Sequence, residues 1–171
     1  MFGTTPFGLF HTLISLLAVA AGAVALVKYK EIGTRTRAGI AYVALTVATC
    51  VTGFFIFHHG GFGKPHALGI ITLVVVAIAY AAETRSFMGR ASRYVAVLGY
   101  SLTFFFQMIP AFTETATRIP SGHPLVPSPD AQGLQAAIGA AFVVFLIGAG
   151  LQVKRLRAEY RGPQTRTPQF A

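Results

Sequence analysis

The stretch FGLFHTLISLLAVAAGAVALV, residues 7–27, runs without a single charged side chain. A helix needs about 20 apolar residues to cross the ~30 Å hydrocarbon core of a bilayer. The basic sequence KYKEIGTRTR, residues 28–37, follows directly. This pattern predicts a transmembrane helix over residues 7–27 that ends at a basic loop.

Four more stretches of similar length and hydropathy follow along the chain, at residues 38–57, 66–82, 94–112 and 134–153. The alternative, buried helices of a soluble protein, requires amphipathic partners that the sequence does not contain. We therefore expect an all-α integral membrane protein, a bundle of five transmembrane helices. Residues 1–153 form its single domain, and residues 154–171 form a basic cytoplasmic tail.

The composition agrees with a bilayer environment. Only 11% of the 171 residues are charged, 54% are hydrophobic, and the mean hydropathy is +0.62. Soluble domains contain about 25% charged residues. The net charge of +9 would suggest nucleic acid in a soluble protein. Here the basic residues stand in short runs between apolar stretches, so we expect lipid and no nucleic acid as the partner.

Orientation follows from the distribution of Lys and Arg, which are enriched in cytoplasmic loops. Two of the fourteen, Lys64 and Arg118, fall on one side of the predicted bundle. This asymmetry predicts an N-terminus outside and a C-terminus inside, in the cytoplasmic (inner) membrane of a bacterium. The twelve on the other side are Lys28, Lys30, Arg35, Arg37, Arg85, Arg90, Arg93, Lys154, Arg155, Arg157, Arg161 and Arg166.

All five histidines fall on the predicted outer side, three of them in HHGGFGKPH, residues 58–66. At ~1.5 Å per residue, His11, His58 and His66 lie about 25, 31 and 28 Å from the basic ends of their helices. Two imidazoles from facing helices are what haem b requires. The candidate haem ligands are His11 and His66, with His58 or His59.

Other interpretations of these histidines stay open. Three imidazoles suit zinc, and imidazole also suits copper, so His11, His58 and His66 are the alternative metal ligands. Histidine is also tolerated at the membrane interface, where its polar tip reaches water and binds nothing.

A second polar pattern lies on the fourth predicted helix, where Tyr100, Thr103 and Gln107 recur at helical spacing. They could line a cavity for a quinone headgroup. Hydrogen bonds between helices explain them equally well.

Several function classes are disfavoured. No charged residue falls in the middle of an apolar stretch, whereas proton-coupled transporters and pumps normally need such groups at depth. The motifs CxxC, GxSxG and HExxH and a phosphate-binding glycine loop are all missing. The sequence favours a protein without catalytic activity of its own.

The segments LFHTLISLLAVAAGAVAL, TRTRAGIAYVAL and ETRSFMGRASRYVAVLGYSLT resemble an uncharacterised family of prokaryotic multi-pass membrane proteins of unknown function. The likeness covers residues 7–113. That family in turn resembles the four-helix b-type cytochromes, which hold haem between histidine pairs. The resemblance implies haem for His11 and His66. Arg37 and Arg93 stand where such cytochromes often carry inner histidines, so one outer site is implied at most.

Three functions follow as expectations. The first is a small redox-associated membrane protein with an outer haem b or metal site. The second is a structural or assembly subunit without cofactor, docked on a larger respiratory or photosynthetic membrane complex or on further copies of itself. A channel or carrier for a small neutral solute is the least favoured, since the sequence supplies few polar residues for a lumen.

Overall fold

The computed structural model of the chain describes residues 5–56, 61–86, 88–118 and 123–161. Within these residues the protein is all-helical, as predicted, and contains five helices. They are α1 (Pro6–Tyr29), α2 (Arg37–Gly53), α3 (Lys64–Arg85), α4 (Arg90–Arg118) and α5 (Gln132–Arg161).

Four of these helices, α1, α3, α4 and α5, are long and apolar enough to cross a membrane. Helix α2 has 17 residues and is shorter than the predicted stretch, residues 38–57. It ends early because the N–H of Phe54 bonds the carbonyls of both Cys50 and Val51, and Phe55 bonds Thr52. Such i→i+3 bonds tighten the last turn and stop the α-helical ladder.

The other helices extend beyond the predicted stretches because polar residues at their ends continue or cap them. Thr5 caps α1, since its hydroxyl accepts the Gly8 N–H at 3.1 Å, and Pro6 takes the first helical position. Helix α4 continues through Pro110 to Arg118. Helix α5 continues to Arg161, so the first part of the predicted tail is helical.

The helices pack mainly on their neighbours in sequence: α1 on α2, α2 on α3, α3 on α4 and α4 on α5. Helix α1 also contacts α4. The buried core sits among the first four helices, and the residues Ala25, Ile32, Tyr42, Ala79 and Tyr100 form it. Helix α5 lies at the edge of the bundle: its backbone approaches that of α4 alone among the described helices, and its Arg155 side chain also reaches the end of α1.

The bundle has two chemically different ends. We call the end that holds the α1–α2 and α3–α4 connections and the C-terminus of α5 the basic end. The opposite end, which holds His11 and the start of α3, is the histidine end.

Candidate functional site

His11 is partly buried in α1 and is oriented by a residue of α2. Its Nδ1 lies 2.8 Å from the Thr52 hydroxyl oxygen. With the Thr52 hydroxyl donating its one proton to the Ala48 carbonyl at 2.8 Å, its oxygen accepts from Nδ1–H of His11. The neutral His11 ring therefore carries its proton on Nδ1 and has a lone pair on Nε2. A metal-ligating histidine is typically held in this way.

A carboxylate accompanies this imidazole. Glu114 of α4 interacts electrostatically with His11. Residues of α1, α2 and α4 therefore meet at the histidine end. The imidazole of His11 and the carboxylate of Glu114 are two groups of the kind that bind metals. The described residues contain no group of three His, Cys, Asp or Glu that could hold a metal ion.

His66 has a different role, at the start of α3. Its Nδ1 accepts the backbone N–H of Gly63 at 3.3 Å, and its ring lies 5.5 Å from that of Phe62. This side chain thus caps the N-terminus of its own helix, where N–H groups have no intrahelical partner. The neutral ring then carries its proton on Nε2, and a protonated nitrogen cannot ligate a metal.

The two leading haem candidates are therefore not equivalent. The Nδ1 bond of His11 leaves the lone pair on its Nε2, whereas the capping bond of His66 uses the lone pair on its Nδ1. Helices α1 and α3, which carry them, do not pack on each other over the described residues. The other two candidates, His58 and His59, lie outside the described residues.

Polar side chains form a seam between α2 and α4 in the interior of the bundle. The Tyr42 hydroxyl lies 2.9 Å from that of Thr103, and the Gln107 amide donates to Thr46 at 2.7 Å. Tyr42 also interacts with Thr46 and Gln107, so the four groups are one network. We call these four residues the polar seam. All of them are buried, and each finds its partner on the other helix.

The pattern of Tyr100, Thr103 and Gln107 on α4 is thus explained by hydrogen bonds between helices. Tyr100 donates to a carboxylate oxygen of Glu83 on α3 at 3.0 Å. Both oxygens of Glu83 also receive the backbone N–H of Thr34, and one receives the Thr34 hydroxyl at 2.9 Å. This carboxylate ties the α1–α2 connection to α3 and α4.

A second carboxylate, Glu31, joins three parts of the chain at the basic end. Arg93 of α4 donates to both of its oxygens at 2.8 and 2.9 Å. Arg155 of α5 forms a close charged hydrogen bond with it. Arg155 and Gln152 also donate to the carbonyls of Tyr29 and Lys30 at 2.9 and 3.0 Å. We call Glu31, Arg93, Gln152 and Arg155 the latch.

The latch also explains an unusual backbone. Lys30 ends α1 with φ +64°, a left-handed conformation that is uncommon outside glycine. The last carbonyls of a helix have no intrahelical donors. Here side chains of α5 supply those donors, so the end of α1 is capped by the last helix of the chain.

The sequence did not reveal the latch or the role of Glu83. The two glutamates stand in segments dominated by Lys and Arg, and their charge contributes nothing to a topology count. Their positions could have indicated these roles. Few acidic residues flank the predicted membrane part of this basic chain, and a carboxylate among arginines commonly accepts an ion pair.

Comparison of the chain with protein-family models, with curated proteins and with solved structures finds no match.

Proposed function

We propose that this chain is a multi-pass protein of a bacterial cytoplasmic membrane in which all five helices cross, with the N-terminus outside. The four long apolar helices and the concentration of Lys and Arg at one end support this proposal. Helix α2, with 17 residues, is at the lower limit of about 17–25 for a transmembrane helix. Its position between α1 and α3 favours a crossing.

Within that membrane we propose a structural or assembly subunit that docks on a transmembrane helix of a larger membrane complex. One observation carries this function: the face of α5 that points away from α4 has no intramolecular partner among the described residues. Helix α5 buries only Leu134, Gln152 and Leu156, which lie on the side that faces α4. We call the opposite side the distal face; it consists of Ala136, Gly139, Ala140, Val143, Ile147 and Gly150, all exposed.

The distal face has the composition of a helix-helix interface. Lipid tails are as apolar as leucine, so helices in membranes associate through close packing, and small residues permit that approach. A Cβ added at Gly139 or at Gly150 would meet no atom within 4 Å. These glycines therefore serve no close contact inside the chain.

The remainder of α5 is arranged to hold this face in a fixed position. Phe142 and Phe145 pack on Phe105 of α4 with ring centroids 5.3 and 5.8 Å apart. The latch fixes the helix at the basic end. A rigidly mounted peripheral helix suits a subunit that binds through one face.

The test is the substitution Gly139→Leu with Gly150→Leu. Since neither position touches the rest of the chain, the variant should fold, and its effect should fall on intermolecular contacts. We expect the unchanged protein, extracted from native membranes in mild detergent, to migrate in a large complex and the variant to migrate alone. Ala20→Leu, at an exposed alanine of α1, is the matched control and should stay in the complex.

Two outcomes contradict the subunit proposal. The first is that the unchanged protein migrates alone in every mild detergent. The second is that the double variant stays in the complex. A complex that contains only this chain would show that a second copy occupies the distal face.

A second candidate function is redox-associated, with haem b at the histidine end, and His11 favours it because its Nε2 is available as a ligand. The second imidazole would come from His58 or His59. Haem supplies one-electron chemistry when it is bound. A reduced-minus-oxidised absorbance spectrum with metal analysis tests this candidate. The signal of a b-type haem should be lost in His11→Ala and kept in His123→Ala, an exposed control.

A further inference from the structure

A cavity opens at the basic end between the connections and the end of α5. Its volume is about 270 Å³, and Arg35, Glu83, Ser86, Gly89, Arg93 and Tyr160 contribute to its wall. Parts of the chain far apart in sequence thus surround one space. Two of these residues carry positive charge and one carries negative charge.

The carboxylate of Glu83 keeps its negative charge, but its oxygens are already engaged by neutral donors. Its oxygens accept hydrogen bonds from Thr34 and Tyr100. Arg93 uses one nitrogen, Nη2, on Glu31. Arg35 makes no hydrogen bond or ion pair with any residue that the structure describes. An anion in the cavity would therefore meet the guanidinium of Arg35, which has no hydrogen-bond partner among the described residues, and that of Arg93, which has one nitrogen bonded to Glu31.

The start of α4 adds to this positive field. Gly89, which has φ +56°, turns the chain into α4 at the cavity wall. The N-terminus of a helix carries a partial positive charge that favours anions. At the start of α4 the N–H groups of Ala91 and Ser92 already donate to the carbonyls of Met88 and Gly89, so this end of the helix contributes its dipole. Arg90, in the first turn, lies over the Tyr160 ring at 5.7 Å from its centroid.

An apolar groove adjoins this cavity. It has a volume of about 400 Å³ and is lined by Thr34, Ile40, Val43, Ala44 and Tyr80, between α2 and α3. Thr34 lines the groove and bonds Glu83, which lines the cavity. The two spaces therefore meet at the Thr34–Glu83 contact, and the groove continues along the membrane-facing side of α2.

We propose that the cavity and the groove together bind one anionic phospholipid: Arg35 and Arg93 hold the phosphate, and an acyl chain lies against Val43, Ala44 and Tyr80. A free phosphate would use the cavity alone, and the adjoining apolar groove favours the lipid. Basic pockets between membrane helices on the cytoplasmic side are typical headgroup sites. The proposal depends on membrane insertion and not on the partner of α5.

The experiment measures lipid binding to the full chain in detergent by native mass spectrometry, with phosphatidylglycerol and phosphatidylcholine as probes. We expect preferential retention of phosphatidylglycerol. Arg35→Gln should lower that retention about five-fold, the value of roughly one basic residue near an anionic surface. Arg157→Gln removes the same charge from the same end at an exposed position outside the cavity, and it should change little.

A second pair of variants distinguishes lipid from free phosphate. Ala44→Leu fills the groove and should also lower retention of phosphatidylglycerol, whereas Ala20→Leu on α1 should not. Equal retention of phosphatidylcholine, or equal losses in Arg35→Gln and Arg157→Gln, would overturn the site. If millimolar inorganic phosphate displaces the lipid and Ala44→Leu has no effect, the cavity binds free phosphate and the assignment of a lipid ligand is wrong.

Discussion

Buried polar side chains in this bundle are used in pairs, and the bond between Thr46 and Gln107 is the simplest to test. The amide donates to the hydroxyl at 2.7 Å, and both side chains are buried. We expect Thr46→Val and Gln107→Leu each to lower the free energy of unfolding. In the double variant, the decrease in the free energy of unfolding should be smaller than the sum of the two single decreases by about 0.6 kcal/mol, the usual coupling of such pairs between membrane helices. Unfolding in mixed detergent micelles measures all three variants.

The matched control for this cycle pairs Thr46→Val with Ser101→Ala. Ser101 is also a buried hydroxyl of α4, but it bonds Gln152 of α5 at 2.9 Å and not the polar seam. The decreases in the free energy of unfolding caused by Thr46→Val and Ser101→Ala should therefore be additive. Additive losses for Thr46 and Gln107 would show that the seam does not couple α2 to α4.

At the residue scale, the sequence predicted the α4 side of one set of polar contacts. The spacing of Tyr100, Thr103 and Gln107 predicted one polar line on the fourth helix, and cross-helix bonding was one of its two interpretations. The partners could not be predicted, since Tyr42, Thr46 and Glu83 lie on other helices. The capping role of His66 was also missed, although the order Gly63, Pro65, His66 is typical of a helix start.

Helix α2 packs against the connection from α1 through Gly39, a position with no room for a side chain. A Cβ on Gly39 would lie 1.9 Å from the carbonyl oxygen of Gly33, a backbone atom that cannot turn aside. We therefore expect Gly39→Ala to lower the free energy of unfolding by about 1–3 kcal/mol, the usual penalty for an overpacked site. Gly148→Ala, on α5, meets nothing within 4 Å and should leave stability unchanged or slightly higher. Equal thermal stability of the two variants would contradict the close contact.

The latch predicts how α5 is held at the basic end. Removing one partner of a buried ion pair costs about 3–5 kcal/mol. Here Glu31 is 17% exposed and its arginines are 24% and 31% exposed. We therefore expect a smaller loss for Glu31→Gln, about 1–3 kcal/mol, together with faster tryptic cleavage near Arg155. Arg93 then loses its carboxylate partner and Arg155 keeps only Glu159, while the donors of Gln152 and Arg155 to the end of α1 are kept.

A second carboxylate on Arg155 supplies the control. Glu159 lies one turn away on α5, 3.3 Å from Nε of Arg155, and is half exposed. Glu159→Gln should change stability by only about 0.3–0.5 kcal/mol, the value of an exposed pair on a helix. If Glu159→Gln speeds proteolysis as much as Glu31→Gln, the attachment of α5 does not depend on the latch.

At the element scale, hydropathy was sufficient for the number and order of helices but not for their ends. An apolar stretch shows where a helix lies in the bilayer, and capping residues outside the stretch set its limits. Thr5, Lys30 and Ser86 therefore extend or close helices beyond the predicted bounds. Helix α2 is instead shorter than its apolar stretch, since the apolar sequence continues past Gly53 but the helix ends there.

Across the whole molecule, the excess of basic residues at one end has two separate uses. Most of them contribute only charge, and a count of Lys and Arg predicts their side of the membrane. Arg93 and Arg155 also hold the bundle together through Glu31, which no count detects. The sequence also did not predict that α5 packs along α4, because the sequence of an apolar helix does not show which neighbour it meets.

Orientation is the whole-molecule property that the charge asymmetry predicts most directly. In a Cys50→Ser background, single cysteines are introduced at Ser128, which is half-buried before α5, and at Ala158, which is exposed near the end of α5. We expect a membrane-impermeant maleimide to label the cysteine at 128 in intact cells, and the cysteine at 158 only after permeabilisation. The reason is that the basic end stays cytoplasmic while the histidine end crosses. The Cys50→Ser protein should stay unlabelled as a background control. Labelling of 158 alone in intact cells would reverse the topology, and labelling of both would leave α5 outside the bilayer.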